Sequence, residues 1–315
     1  MLNYLANRLA MLIATVLVAS MAIYGSLYLA PGDPLSTLTG GRQLPDSTKA
    51  ELRSRYHLNE GLPLRYWHWL TSALHGNFGY SVANRENVSI VLRERIATSA
   101  ELIVYATLII ILLGVLAGIV AAIRPGLIDS SIVLTVTVLA ALPSFVASLL
   151  LISVFAVNLR WFPAFGTGSG FTGQLRHLTL PAIALATSSA ALVARITRTA
   201  VRTERAREHV QTAVSRGLSP RSVLSRHILR NAAIPITTVT GLTIASLIAL
   251  VSIVEQAFNL NGIGATLVKA AADKDFALVQ AIALIMVAAF VVINAIVDAL
   301  YVLLDPRLAL AKPAA

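Results

Sequence analysis

The chain contains no cysteine in 315 residues, which excludes disulfide frameworks, thiolate metal sites and cysteine nucleophiles and leaves the redox compartment unread. Charge is scarce: Asp, Glu, Lys and Arg make up 13% of the residues and hydrophobic types 57%. Soluble domains carry roughly 45–50% apolar residues, so a membrane is the first solvent to consider. Acids are the scarcer sign, 15 against 25 basic residues, for a formal charge of +10. Such a balance suits nucleic acid, anionic lipid or an acidic partner, and composition alone does not choose among them. The patterns G-x-x-x-x-G-K-[ST], H-E-x-x-H and G-x-S-x-G are also absent. The chain therefore has no P-loop with which to bind ATP by itself, and catalysis within it is not expected. A literal G-x-G-x-x-G does occur, as Gly168 to Gly173, but it follows an apolar run instead of a strand and reads as a flexible outer loop.

What is present is long apolar runs. A membrane-crossing helix needs about 20 largely apolar residues, since the hydrocarbon core is ~30 Å thick and each residue rises ~1.5 Å. Six windows without Asp, Glu, Lys or Arg meet this: 9–29, 102–123, 130–159, 178–194, 232–254 and 276–297. The first is longer than a signal-peptide core and is followed by APGDP, so it is expected to remain as a helix. The third would run ~45 Å as a straight helix and must tilt, project or bend, with Pro143 the bend site. The fourth is short, with Pro181 read as a first-turn proline.

Arginines set the orientation. With six spans both termini share a side, and Arg195, Arg198, Arg202, Arg205, Arg207, Arg216, Arg221, Arg226 and Arg230 lie on that side, as do Arg8, Arg124, Arg307 and Lys312. By the positive-inside rule that side is the cytoplasm. The segment 31–95 then lies outside. In it Thr48 to Glu51 reads as a capping box. After Pro63, the residues Leu64, Trp67, Leu70 and Leu74 recur at helical spacing before Gly76. Two short helices against the outer ends of the spans are expected. His57, His68 and His75 crowd this segment but match no metal-ligand spacing, and surface or interfacial histidines are the expectation.

The most basic stretch is EHVQTAVSRGLSPRSVLSRHILRNAAIP, residues 208–235. Residues 203–216 have helical character, Gly217 suits a left-handed C′ position, and Ser219 with Pro220 supplies an N-cap and a first-turn proline. The stretch reads as helix, turn, helix. Val210, Ala213 and Val214 share one face, continued by Leu218, and the small Ala213 and Gly217 leave room for another protein near the backbone. Two other readings fit the same residues, a solvated basic loop that enforces topology and a helix that binds lipid headgroups. A DNA-binding helix-turn-helix is disfavoured between spans.

Here the residues carry a family resemblance. EHVQTAVSRG, nine intervening residues and HILRNAAIP resemble the EAA loop of permease subunits in bacterial ABC importers, especially the peptide and nickel group. Gln211, Thr212 and Ala213 stand where the generic pattern has Glu-Ala-Ala, a departure shared by the peptide branch. RLAMLIATVLV with APGDP, YHLNEGLPLRYWHWL, HGNFGYS, VEQAFNLNGIG and NAIVDALYVLLDPR, in that order, resemble B-type subunits of dipeptide and oligopeptide permeases. KDFALVQ, residues 274–280, departs from the commoner Arg-Asp-Tyr-Pro.

The resemblance implies an all-α integral membrane protein with six transmembrane helices and the type I ABC importer fold. Its parts would be an N-terminal helix (1–30), a helical extracytoplasmic segment (31–95), a permease core (96–305) holding the EAA loop (204–231), and a cytoplasmic tail (306–315). It implies a bacterial plasma-membrane location and four kinds of partner. These are a second, C-type permease chain, two ATP-binding subunits that hold ATP and Mg, an extracytoplasmic substrate-binding protein, and membrane lipid; nucleic acid is not among them. No cofactor is expected in this chain. Coupling to the ATP-binding subunits would fall to Glu208, Val210, Ala213, Val214, Gly217 and Leu218. The cargo expected is a dipeptide or oligopeptide, with nickel, glutathione or haem as alternatives in the same family.

Outside that loop, Thr237, Thr240, Thr243 and Ser246 recur every three residues in the fifth window, as a stripe lining the pathway would, although hydroxyls bonded back to their own helix would look the same. Glu255 is a candidate outer gate or partner contact, with a wetted helix end as the alternative. Gly114 with Gly118, and Asn294 with Asp298, are candidates for helix packing. An ion-driven secondary transporter or a membrane adaptor are the rivals from other classes; neither an internal repeat nor a midplane charge supports the first.

Overall fold

The computed structural model describes residues 2–29, 45–55 and 59–304. APGDP, His57, Arg307, Lys312 and the whole tail 306–315 lie outside the described residues, as does the side chain of Glu51. The helices are α1 (Leu2–Leu29), α2 (Asp46–Arg55), α3 (Leu62–Leu74), α4 (Val88–Ile123), α5 (Leu127–Ala141), α6 (Ser144–Asn158), α7 (Gly170–Arg205), α8 (Glu208–Ser215), α9 (Pro220–Ala257), α10 (Ile263–Ala272) and α11 (Phe276–Leu304). A two-residue antiparallel ladder, β1 (Tyr80–Ser81) with β2 (Glu86–Asn87), precedes α4. Among the described residues, α4, α7, α9 and α11 are each long and apolar enough to cross a membrane. The pair α5 and α6 passes only together, bent by 104°, and α1 offers the shorter apolar stretch Ala10–Ser26.

The bend falls at Pro143. Its ring has no N–H to give the helix and pushes the preceding residue out of the α region, and Leu142 is extended at φ −80°, ψ 114°. Pro181, in contrast, is not a first-turn proline. It sits well inside α7, which begins at Gly170 and extends to Arg205, because the flanking polar residues 170–177 and 195–205 are helical too. The charge-free run 178–194 is only the apolar middle of a longer rod. Gly168 to Gly173 is likewise no flexible loop: Gly170 to Gly173 form the first turn of α7. Gly168, at φ +72°, lies so close to that turn that a Cβ would stand 2.7 Å from Gly173 O. The capping box at Thr48 is also corrected. α2 begins at Asp46, whose carboxylate suits a first turn, and Lys49 N–H donates to Pro45 O at 3.0 Å.

The chain divides into two compact units. One comprises Ala100–Leu260 and the chain from Val292. Its core joins Leu102, Ala106 and Ile110 of α4 to Leu185 and Val193 of α7 and Leu247 and Val251 of α9. Gly114 and Gly118 sit where α4 meets α7. A Cβ on Gly118 would stand 2.5 Å from both Ala194 O and Thr197 Cβ, and one on Gly114 2.9 Å from Ala190 O, so only glycine permits this approach. Gly114 also lies in a π-helical turn, Ile110–Val115, that interrupts α4.

The other unit comprises Leu2–Ser99 and Asn261–Val291. Val88 and Leu92 of α4 pack on Ile263 and Ala270 of α10 and on Leu278 and Ile282 of α11. Buried Asp275 caps α11 by accepting from Leu278 N at 3.2 Å. It also accepts from Ser81 Oγ at 2.5 Å and Ala83 N at 3.2 Å, which locks the β1–β2 hairpin onto that helix start. The expected apolar face of α3 is only partly right. Leu70 is buried with Ala73, but Leu64, Trp67 and Leu74 are exposed. The face that packs on α1 is aromatic: Tyr66 and Trp69 stack around Tyr24 at 5.8 and 5.4 Å.

Candidate coupling loop

The basic stretch folds into a short helix held between two long ones. α7 stops at Arg205, the chain turns at Ala206 and Arg207, and α8 begins at Glu208. A single helix through residues 203–216 is therefore replaced by two. Glu204 fixes the turn. Its carboxylate, largely buried at the end of α7, accepts from Asn231 Nδ2 of α9 at 2.9 Å and faces His209 Nε2 at 3.2 Å and Arg207 Nε at 3.3 Å. Asn231 also donates to His227 O at 3.1 Å. One acid thus ties the end of α7 and the start of α8 to the body of α9.

The C-terminal end of α8 closes as a Schellman motif. Gly217 has φ +75°, its N–H donates to Val214 O at 2.9 Å, and Leu218 N–H donates to Ala213 O at 3.3 Å. Ser219 then caps α9 by accepting from Ser222 N at 3.4 Å, with Pro220 at the first helical position.

The structure divides the six candidate coupling residues. Val210 and Ala213 are buried, with Ala122, Val201, Val223, Ile228 and Ala232, in a core of this chain. They fix α8 in place and present no surface, so the shared face with Val214 is corrected. Glu208, Val214, Gly217 and Leu218 are exposed, Val214 at 59% and Leu218 at 42%. A Cβ on Gly217 would meet nothing within 4 Å. Arg205, Arg207, Arg216, Arg221, Arg226 and Arg230 are exposed around them. The loop offers a small apolar knob on a basic surface, with a bare glycine beside it.

Not every arginine counted for topology is free. Arg198 Nε and Nη2 grip Asp129 at 2.6 and 2.8 Å, and Arg202 Nη2 binds the same carboxylate at 2.6 Å. This part-buried cluster joins the first turn of α5 to α7 and was not legible from sequence, because its members lie 69 and 73 residues apart. Glu204 and Asn231 were missed for the same reason, although Asn231 stands inside a motif that was singled out.

The other candidates fall as follows. The stripe on α9 is not a polar surface. Thr240 and Thr243 are buried, Thr243 Oγ1 donates to Val239 O at 2.6 Å and Ser246 Oγ to Thr243 O at 2.7 Å; Thr237 is half-buried and Ser246 exposed. Gly241, next to Thr240, lies against Val297 of α11 so closely that a Cβ would be 2.4 Å from it. Glu255 is fully buried, which removes both the wetted helix end and a contact surface for a partner. Asn294 and Asp298 are half-buried. His68 faces Glu60 at 3.4 Å, and the His75 ring bonds Thr71 O at 2.7 Å. A cavity of about 490 Å³ opens between α4, α5, α6 and α7, where Ser131, Thr135 and Thr187 supply its polar side chains.

Among solved structures, one of the methionine ABC transporter MetNI in inward-facing conformations shares this fold, with a TM-score of 0.55, 14% identity, and coverage of 68% of this chain and 96% of that one. The shared fold is that of the membrane domain of a type I ABC importer. Residues 89–310 match the binding-protein-dependent transport system inner membrane component family, and residues 1–103 match its N-terminal companion. The chain belongs to that family. It is 34% identical to the probable peptide ABC transporter permease protein y4tP of Sinorhizobium fredii, covering 97% of this chain and 98% of the relative. It is 33% identical to the di/tripeptide transport system permease protein DppB of Pseudomonas aeruginosa, and 32% to the glutathione transport system permease protein GsiC of Escherichia coli K12, each with 98% of this chain and 99% of the relative covered. It is thus a multi-pass membrane permease subunit of the peptide and nickel group.

Proposed function

We propose that this permease subunit carries short peptides inward across the bacterial plasma membrane, as half of a pathway completed by a second, similar permease chain. An extracytoplasmic binding protein delivers the peptide, and two ATP-binding subunits on the cytoplasmic side hold ATP and Mg. Peptide cargo is supported by the relatives, whose names specify a peptide, di- or tripeptides, and glutathione, itself a tripeptide, over nearly the whole of each chain. Both termini are assigned to the cytoplasm, on the side of the basic loop.

The observation that carries the mechanism is α8. Exposed Val214 and Leu218 beside Gly217 give an ATP-binding subunit something apolar to grip, and the surrounding arginines suit an acidic rim. A displacement of α8 is not absorbed in a slack loop. Its buried face, Val210 and Ala213, and the Glu204–Asn231 bond pass it to the end of α7 and to α9. Closure of the ATP-binding subunits would then move two spans together, the kind of coupled element an alternating pathway needs.

Two measurements test the reading. A strain lacking this gene should lose uptake of labelled di- and tripeptides and keep nickel uptake; the reverse result would replace the cargo. With no native cysteine to interfere, Ser219→Cys should react with an impermeant maleimide only from the cytoplasm and Asn84→Cys only from outside. Reaction of both from one side would overturn the orientation.

A further inference from the structure

We infer that α3 is embedded in the outer half of the bilayer, with Leu64, Trp67 and Leu74 in the acyl chains, instead of standing in water above the membrane. The argument begins with depth on α1. The run without charge covers 9–29, bounded by Arg8, and about 20 residues fill the hydrocarbon core, so its middle falls near residue 19. α3 meets α1 at that level. Tyr66 Oη lies 2.7 Å from Ser20 Oγ and donates to Leu17 O at 3.3 Å, while Trp69 stacks on Tyr24 at 5.4 Å. Ser20 is about 14 Å and Tyr24 about 8 Å below Leu29 along the helix, at 1.5 Å per residue. A helix bonded at those positions lies below the membrane surface wherever α1 spans.

The chemistry of the opposite face agrees. Leu64, Trp67 and Leu74 are 50%, 59% and 77% exposed. Of the polar residues on or beside this stripe, Thr71 spends its hydroxyl on its own helix, at 2.9 Å from Trp67 O and 3.0 Å from His68 O, the His75 ring bonds Thr71 O at 2.7 Å, and His68 faces Glu60 at 3.4 Å. The strongest charge on α3 points the other way: Arg65 is buried and shares a hydrogen bond with Tyr24. Exposed Val18 and Met21 on α1 continue the apolar surface. The occupant is therefore lipid, and α3 lies as deep as or deeper than the ~5–10 Å at which interfacial helices ride.

Nitroxide labels at Trp67→Cys, Leu74→Cys and Leu64→Cys, in the assembled transporter reconstituted with cysteine-free partner chains, would report the surroundings. Asn84→Cys in the hairpin is the water reference. At the three α3 positions, collision with dissolved oxygen should exceed collision with a water-soluble nickel chelate, and at Asn84 the order should reverse. Preference for the nickel chelate on α3 would overturn the inference by placing it in water. Protection from both quenchers would overturn it by placing a partner protein there. Peptide uptake by the labelled variants separates a misfolded α3 from a misplaced one.

Discussion

Replacing Gly217 tests whether α8 is a contact or merely a well-formed turn. The left-handed conformation at φ +75° costs an L-residue roughly 1–2 kcal/mol, least for asparagine and most for a β-branched side chain. Within this chain a Cβ meets nothing within 4 Å, so that backbone cost is the whole intramolecular penalty. One or two kcal/mol changes the population of the capped turn by about 5–30-fold. Backbone strain alone therefore ranks Gly217→Asn mildest, then Gly217→Ala, then Gly217→Val. A subunit packed against the bare glycine imposes a different order, by bulk: alanine mildest, then asparagine, then valine. Membrane insertion of this chain should survive all three, since the loop lies outside the apolar spans. The assay is co-purification of the ATP-binding subunits together with substrate-stimulated ATP hydrolysis. Alanine outperforming asparagine supports a docked glycine. Wild-type values for valine in both measurements would refute the coupling role of α8.

Gly118→Ala drives a methyl to 2.5 Å from Ala194 O, a backbone atom that cannot rotate away, and should destabilise the chain by ~1–3 kcal/mol. A lower unfolding temperature in detergent checks this, with Gly25→Ala, where a Cβ meets nothing within 4 Å, as the neutral control. Thr240→Val should leave uptake unchanged and hold or raise thermal stability, because Thr240 Oγ1 is buried without a hydrogen-bond partner; loss of uptake in a stable variant would return Thr240 to the pathway. Asp275→Ala removes acceptors for Ser81, Ala83 and Leu278 and should cost ~1–3 kcal/mol. Faster proteolysis of the β1–β2 hairpin would report it, and unchanged proteolysis would show that the hairpin is held by other means.

The sequence by itself determined the membrane class, the places where apolar runs become helices, the bend at Pro143, and the turn from Gly217 through Pro220. These are local properties: hydrophobic length, a ring that blocks a backbone bond, and residue types suited to one dihedral region. The true length of α7 was hidden because helix formation does not stop where hydrophobicity does. Facing was decided only in three dimensions. Val210 and Ala213 looked like companions of Val214, yet they are buried by Val223 and Ile228 while Val214 is not. The threonines of α9 looked like a lining, yet Thr240 and Thr243 are buried within this chain. Glu204 with Asn231, Asp129 with Arg198 and Arg202, and Ser81 with Asp275 join residues 27 to 194 positions apart. A polar side chain's partner depends on which helices pack, and packing depends on side-chain shape summed over the whole core, which no short stretch of sequence records.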